Sequence, residues 1–161
     1  MKFKTNDSIT MERINNTKVQ LTLNLIVFLF ILLFAYTGLY KLIDLDQTRG
    51  TLRAVPILKK MGISEIVAWL VPVIEVLVAV VLSIPARRKQ GLYGAMVLMV
   101  IFTLYVFYIL KLSGEVPCTC GGVISKMNWT THLYFNIFFT ILSIAGVALD
   151  HKLNKFIPQN I

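Results

Sequence analysis

Cys118 and Cys120 are the residues of this chain whose type and spacing best suit chemistry. They are its only cysteines, Thr119 separates them, and Pro117 and glycines 121–122 flank them in a defined turn. A disulfide across one intervening residue would gain little of the chain-entropy stabilisation that a long loop gains from a cross-link. Small rings also impose strained geometry, and strained, exposed disulfides are the most readily reduced and exchanged. The spacing therefore favours thiol-disulfide exchange over structural reinforcement.

Two other interpretations of the cysteine pair stay open: it could handle a metal or a haem, or it could be incidental or merely structural. A tetrahedral zinc site needs four ligands, and the one nearby imidazole is His132, because His151 lies at the opposite membrane face. We therefore predict no metal site. His132 could accept a proton from a thiol or stabilise a thiolate, which makes Cys118, Cys120 and His132 the candidate catalytic residues. Alternatively, His132 is an interfacial residue bonded to backbone or to lipid headgroups.

Glu75 is a second candidate, because it lies in the middle of an apolar run. Ionisable side chains are costly there and normally face the interior of a bundle. Pro72 frees a backbone carbonyl one turn back, which could accept the proton of Glu75 or of a hydroxyl such as Tyr36 or Thr37 on a neighbouring helix. We predict that Glu75 is protonated. A structural polar clamp is favoured over a role in proton or quinone handling.

Apolar helices must position these residues. The chain has 161 residues, 57% of them hydrophobic, and a mean hydropathy of +0.73, which is too apolar for a soluble domain of this length. Lipid cannot satisfy open backbone groups, so each apolar run long enough to cross a bilayer predicts a helix. We predict an all-α integral membrane protein, an antiparallel four-transmembrane-helix bundle with spans at about 21–43, 66–84, 92–110 and 130–149.

The remaining segments are short and polar. We predict a cytoplasmic N-terminal segment at 1–20, a cytoplasmic tail at 150–161, and a short interfacial segment between the first two spans that breaks at Pro56. The membrane domain is then 21–149.

The charge distribution predicts the orientation. The formal net charge is +8, but the basic residues lie in short groups between apolar runs, so nucleic acid is not a predicted partner. The ends that we assign to the cytoplasm hold nine of the sixteen lysines and arginines, including the densest cluster, Arg87-Arg88-Lys89. We therefore predict a multi-pass protein of a bacterial inner membrane with both termini in the cytoplasm. The cysteine loop then faces the oxidising periplasm.

Three segments of the chain resemble the DoxX and MauE family. They are FAYTGLYKL at 34–42, PVIE at 72–75 and CTCGG at 118–122, in order and at plausible spacing. The resemblance extends over nearly all of residues 21–149 and implies four transmembrane helices. The MauE branch is similar to proteins thought to support disulfide formation or electron supply for a periplasmic thioredoxin-like partner, which would make Cys118 and Cys120 the exchanging pair.

We interpret the chain as a membrane protein that supports periplasmic thiol-disulfide exchange with a thioredoxin-like partner. Because its two cysteines share one loop, electrons cannot cross the membrane through its own thiols. They would pass to a bound quinone, to another subunit or back to a soluble partner, and a quinone is the one cofactor candidate. The alternative is a non-enzymatic subunit or assembly factor of a larger membrane complex, with the loop as a contact surface. Transport is disfavoured, because one buried acid offers a poor pathway.

Overall fold

The structure, a computed structural model, describes residues 6–53, 55–112 and 129–156. These residues form helices, and no strand occurs among them. Four helices contain stretches long and apolar enough to cross a membrane, which confirms the predicted all-α membrane fold. In chain order the elements are α1 (Asn6–Ile43), α2 (Leu45–Arg53), α3 (Pro56–Met61), α4 (Ser64–Ser83), a 3-10 turn (Pro85–Arg87), α5 (Arg88–Leu112) and α6 (Trp129–Phe156).

The helices extend beyond the apolar runs at several of their ends. Helix α1 begins at Asn6, inside the segment predicted as a polar lead-in, and α5 begins at Arg88, in the basic cluster. Lysine, arginine and glutamine are good helix formers, so they end the apolar run without ending the helix. The candidate membrane spans are Asn16–Ile43, Ser64–Ser83, Pro85–Lys111 and Trp129–Leu153.

Two short helices connect the first and second spans. Helix α2 ends at Arg53 and α3 begins at Pro56, so the helical path breaks where the proline predicted it. Gly62 follows α3 with a φ of +68°, a left-handed conformation that suits the end of a helix. The chain then turns directly into α4.

Helix α2 packs against the first turns of α4. Glu65 accepts a hydrogen bond from Arg53 Nε at 2.7 Å and pairs with Arg49 Nε at 3.2 Å. The Arg49 guanidinium also lies 5.9 Å from the Trp69 ring centroid. The start of α4 therefore extends beyond the end of α1 and is covered by α2.

The four long helices close into a ring. Helix α1 packs on α4 and α6, and α5 packs on the same two helices. Phe30 of α1 is fully buried at the centre, with its ring centroid 5.8 Å from Phe34 and 5.6 Å from Phe139. The outward faces carry exposed apolar side chains, as contact with lipid requires: Leu21, Phe28, Leu77, Leu104 and Ile141.

Hydroxyl groups join α5 to α6. Thr103 Oγ1 lies 2.9 Å from Thr140 Oγ1 and donates to the Met99 carbonyl at 2.7 Å. Such small polar side chains let membrane helices approach closely and bond across the interface.

Candidate functional site

Cys118 and Cys120 belong to the connection between α5 and α6, which lies outside the described residues. Their role as the exchanging pair stays a prediction. The helices on either side are described: α5 ends at Leu112 and α6 begins at Trp129.

A charged cluster lies inside the bundle, and helices α1, α4 and α5 each contribute one residue to it. Lys41 of α1 donates a hydrogen bond from Nζ to Oε1 of Glu75 on α4, forming an ion pair. The same ammonium lies 5.0 Å from the ring centroid of Phe102 on α5. We refer to Lys41, Glu75 and Phe102 as the charged cluster.

Gly38 brings the two charged helices together. A Cβ atom at this position would lie 2.9 Å from Val76 Cγ2 and 3.1 Å from both Glu75 Cβ and the Pro72 carbonyl oxygen. Only a residue without a side chain permits this approach of α1 to α4. Side chains on a helix lean toward its N-terminus, so Lys41, three residues after Gly38, extends back into the bundle toward the carboxylate.

The two charged side chains differ in their exposure. No part of the Glu75 side chain is exposed, whereas 33% of the Lys41 side chain is. A lysine can cover apolar surface with its stem while its ammonium group reaches a polar partner. Glu75 Oε2 has no hydrogen-bond partner in the described part of the chain, while the nearby Thr37 hydroxyl donates to the Leu33 carbonyl at 2.8 Å. The buried carboxylate therefore depends on Lys41 for its neutralisation.

The structure gives Glu75 a partner that was not predicted. We expected a protonated Glu75, with the carbonyl freed by Pro72 accepting its proton or that of a hydroxyl such as Tyr36 or Thr37. Instead, 47% of Tyr36 is exposed on the outward face, where its ring centroid lies 6.3 Å from that of Tyr40. Pro72 is buried in α4 and forms part of the contact with α1. The hydrogen-bond partner of Glu75 is Lys41, and the protonation of Glu75 stays a prediction.

Lys41 was not predicted as part of this site. Its signal was present: Lys41 is the first charge after the charge-free run 21–40, and Glu75 is the lone acid in the interior of the next span. Two isolated opposite charges on consecutive membrane helices favour a pair. What the sequence did not supply is the offset between α1 and α4, which places Lys41 level with the middle of α4.

His132 lies in the first turn of α6 and is half-buried. Its ring centroid is 6.1 Å from that of Trp129. It therefore lies one helical turn from the α5–α6 connection. Within residues 6–53, 55–112 and 129–156, no group of three or more histidine, cysteine, aspartate or glutamate side chains could hold a metal ion.

The sequence from the first span to the end of the last matches one known family. A family model described as methylamine utilisation protein MauE matches residues 19–149, which include the whole charged cluster and both cysteines. The chain belongs to the MauE family. Comparison with curated proteins gave no match, and comparison with solved structures gave none. Membership of the MauE family and the four apolar helices agree on a multi-pass membrane protein, while the DoxX part of the resemblance stays an interpretation of the sequence.

Proposed function

We propose that this MauE-family protein supports thiol-disulfide exchange at the outer face of a bacterial inner membrane, through Cys118 and Cys120 and with a thioredoxin-like partner. One observation supports this proposal above all. The connection that carries the cysteines starts from the end of α5 and returns to Trp129 at the start of α6, one helical turn before His132. Cations and imidazoles near a thiol favour the thiolate, which is the attacking species.

The proposed exchange transfers two electrons between the cysteine pair of this chain and the cysteine pair of its partner. One thiolate of the chain attacks a sulfur of the partner disulfide, a mixed disulfide forms, and a partner thiolate leaves. The second cysteine then attacks the mixed disulfide and releases the partner as a dithiol. The chain ends with its pair oxidised, and the partner has gained two electrons and two protons. Run in reverse, the same steps oxidise the partner.

The proposed orientation has both termini in the cytoplasm. Of the seven lysines and arginines that we assign to the outer side, Lys41 is paired with Glu75 inside the bundle. Lys41 therefore contributes little as a loop charge. Without it, the side that we assign to the cytoplasm has nine lysines and arginines and the outer side has six, which favours a cytoplasmic Arg87-Arg88-Lys89 cluster.

Single-cysteine variants in intact membranes test the exchange. Cys118→Ser and Cys120→Ser each remove one sulfur, so one of them should stall at the mixed disulfide and retain a partner that a reducing agent releases. Non-reducing electrophoresis measures this complex, and the variant with both cysteines changed to serine is the control. If neither single variant retains a partner, the exchange proposal is wrong.

A second candidate function is a non-enzymatic accessory subunit or assembly factor of a membrane complex. Membership of the MauE family favours it, because that family is compatible with a membrane accessory role. We carry over this role and not methylamine as a substrate. The variant with both cysteines changed to serine separates the two candidates. If the chain is a structural subunit, this variant should still assemble the host complex. If the chain carries out exchange, this variant should be inactive.

A further inference from the structure

A groove lies at the end of the bundle opposite the charged cluster. It runs between α1 and the turn that joins α4 to α5, and it encloses about 200 Å³. Val27 and Leu82 are buried and form its floor, and Phe28, 56% exposed, forms one wall. Ser83 and Arg88 lie at its rim. The groove thus joins an apolar floor to a polar and cationic rim.

The rim is strongly basic. Arg88 is half-buried at the first position of α5, and its neighbours Arg87 and Lys89 are exposed. No acidic side chain in the described part of the chain pairs with any of the three. Among the side chains that the structure describes, these three cations therefore have no acidic partner at this end of the groove.

We propose that this groove binds one anionic phospholipid. The headgroup phosphate lies on Arg88, and an acyl chain lies against Val27, Phe28 and Leu82. A guanidinium matches a phosphate with two parallel hydrogen bonds, and basic residues beside a membrane attract anionic lipids. This inference does not depend on the proposed exchange function.

The groove favours a lipid over a free phosphate ion. A free ion would use the charge of Arg88 and leave the apolar floor uncovered. A phospholipid covers both parts, because its acyl chains already occupy the layer that surrounds Phe28 and the other outward apolar residues of α1. The charge of Arg88 and the apolar floor of the groove therefore both favour an anionic phospholipid.

Native mass spectrometry of the full chain, released from detergent micelles, tests the proposal. Phosphatidylglycerol and phosphatidylcholine with identical acyl chains are added in turn. We expect the phosphatidylglycerol to bind more tightly, and Arg88→Gln to reduce that preference about fivefold, the effect of one basic residue near the membrane surface. Ser83→Phe should weaken phosphatidylglycerol binding without any change of charge, because the ring would fill the groove.

Matched variants serve as controls. Arg87→Gln removes an exposed arginine that does not line the groove, and Val80→Phe adds a ring on the outward face of α4. Neither should change the lipid preference by more than a small fraction. Equal binding of the two lipids would overturn the proposal, as would an equal effect of Arg87→Gln and Arg88→Gln. Displacement of phosphatidylglycerol by inorganic phosphate, or full binding by Ser83→Phe, would show that the acyl chain does not occupy the groove. Helical content measured by circular dichroism checks that each variant is folded.

Discussion

At Glu75 a carboxylate lies wholly inside the bundle, and the opposite charge comes from Lys41, one third of whose side chain is exposed. The two residues therefore differ in what each can do alone. A stranded Glu75 has no route to water, because it is fixed in the middle of α4. A stranded Lys41 is two residues from the end of α1 and can turn its ammonium toward the membrane surface.

This difference predicts unequal effects of removing each charge. Lys41→Met should lower the free energy of unfolding by about 3–5 kcal/mol, because it leaves a buried acid without its partner. Glu75→Met should cause a smaller loss. The double variant should recover most of the stability, since an apolar pair can replace a buried ion pair. Thermal unfolding in detergent, followed by circular dichroism, measures all three in a double-mutant cycle.

The Arg53–Glu65 pair supplies the matched control. Both side chains are largely exposed, so Arg53→Gln should cost only about 0.2–1 kcal/mol. Equal losses for Lys41→Met and Arg53→Gln would contradict the special dependence of Glu75 on Lys41. A double variant no more stable than Lys41→Met would do the same.

The sequence predicted that Glu75 faces the interior, because the cost of an ionisable side chain in lipid depends only on the residue and on the apolar run that contains it. It did not identify Lys41, because that pairing depends on the level at which α1 ends along α4. Tyr36 was predicted as a possible donor to the carbonyl freed by Pro72, but its side chain lies on the outward face, which its position near the end of the helix did not reveal.

At the scale of elements, the contact between α1 and α4 depends on the missing side chain of Gly38. Gly38→Ala would place a methyl group 2.9 Å from Val76 Cγ2 and 3.1 Å from the Pro72 carbonyl, and backbone cannot move aside cheaply. We expect the helices to separate slightly and the free energy of unfolding to fall by about 1–3 kcal/mol. The same unfolding assay measures the loss.

Gly50→Ala in α2 is the control for this substitution. Nothing lies within 4 Å of a Cβ atom at Gly50, so the change should be neutral or should stabilise the helix by about 0.5–1 kcal/mol. If both substitutions have the same sign and size, helix propensity rather than close packing governs Gly38.

Apolar runs predicted the four long helices, and Pro56 predicted the break between α2 and α3. The ends of the long helices were harder to predict, because a polar residue can continue a helix beyond the membrane. The packing of α2 on α4 was also missed. It depends on Arg49, Arg53 and Glu65, which the sequence analysis treated as part of a polar connection.

At the scale of the whole molecule, the proposed orientation predicts which ends of the bundle can be labelled from outside the cell. Gly50 in α2 and Gln90 in α5 are both exposed and belong to opposite ends. In a background with both native cysteines changed to serine, Gly50→Cys should react with a membrane-impermeant thiol reagent on intact cells. Gln90→Cys should react only after permeabilisation.

Cys118 and Cys120 should be labelled from the same side of the membrane as Gly50→Cys. With the native sequence, the same reagent should label Cys118 and Cys120 on intact cells after reduction. The reverse labelling pattern for Gly50→Cys and Gln90→Cys would show that the protein has the opposite orientation. The cysteine loop would then face the cytoplasm, which contradicts the exchange proposal.

The ion pair between Lys41 and Glu75 also bears on how the protein is made. Its two residues are 34 positions apart and belong to two consecutive spans. A charged carboxylate at the centre of a helix costs about 2.5–3.5 kcal/mol during insertion, so α4 enters lipid more readily with its cation already beside it. We therefore expect α1 and α4 to insert as a charge-neutral hairpin, on which α5 and α6 then pack.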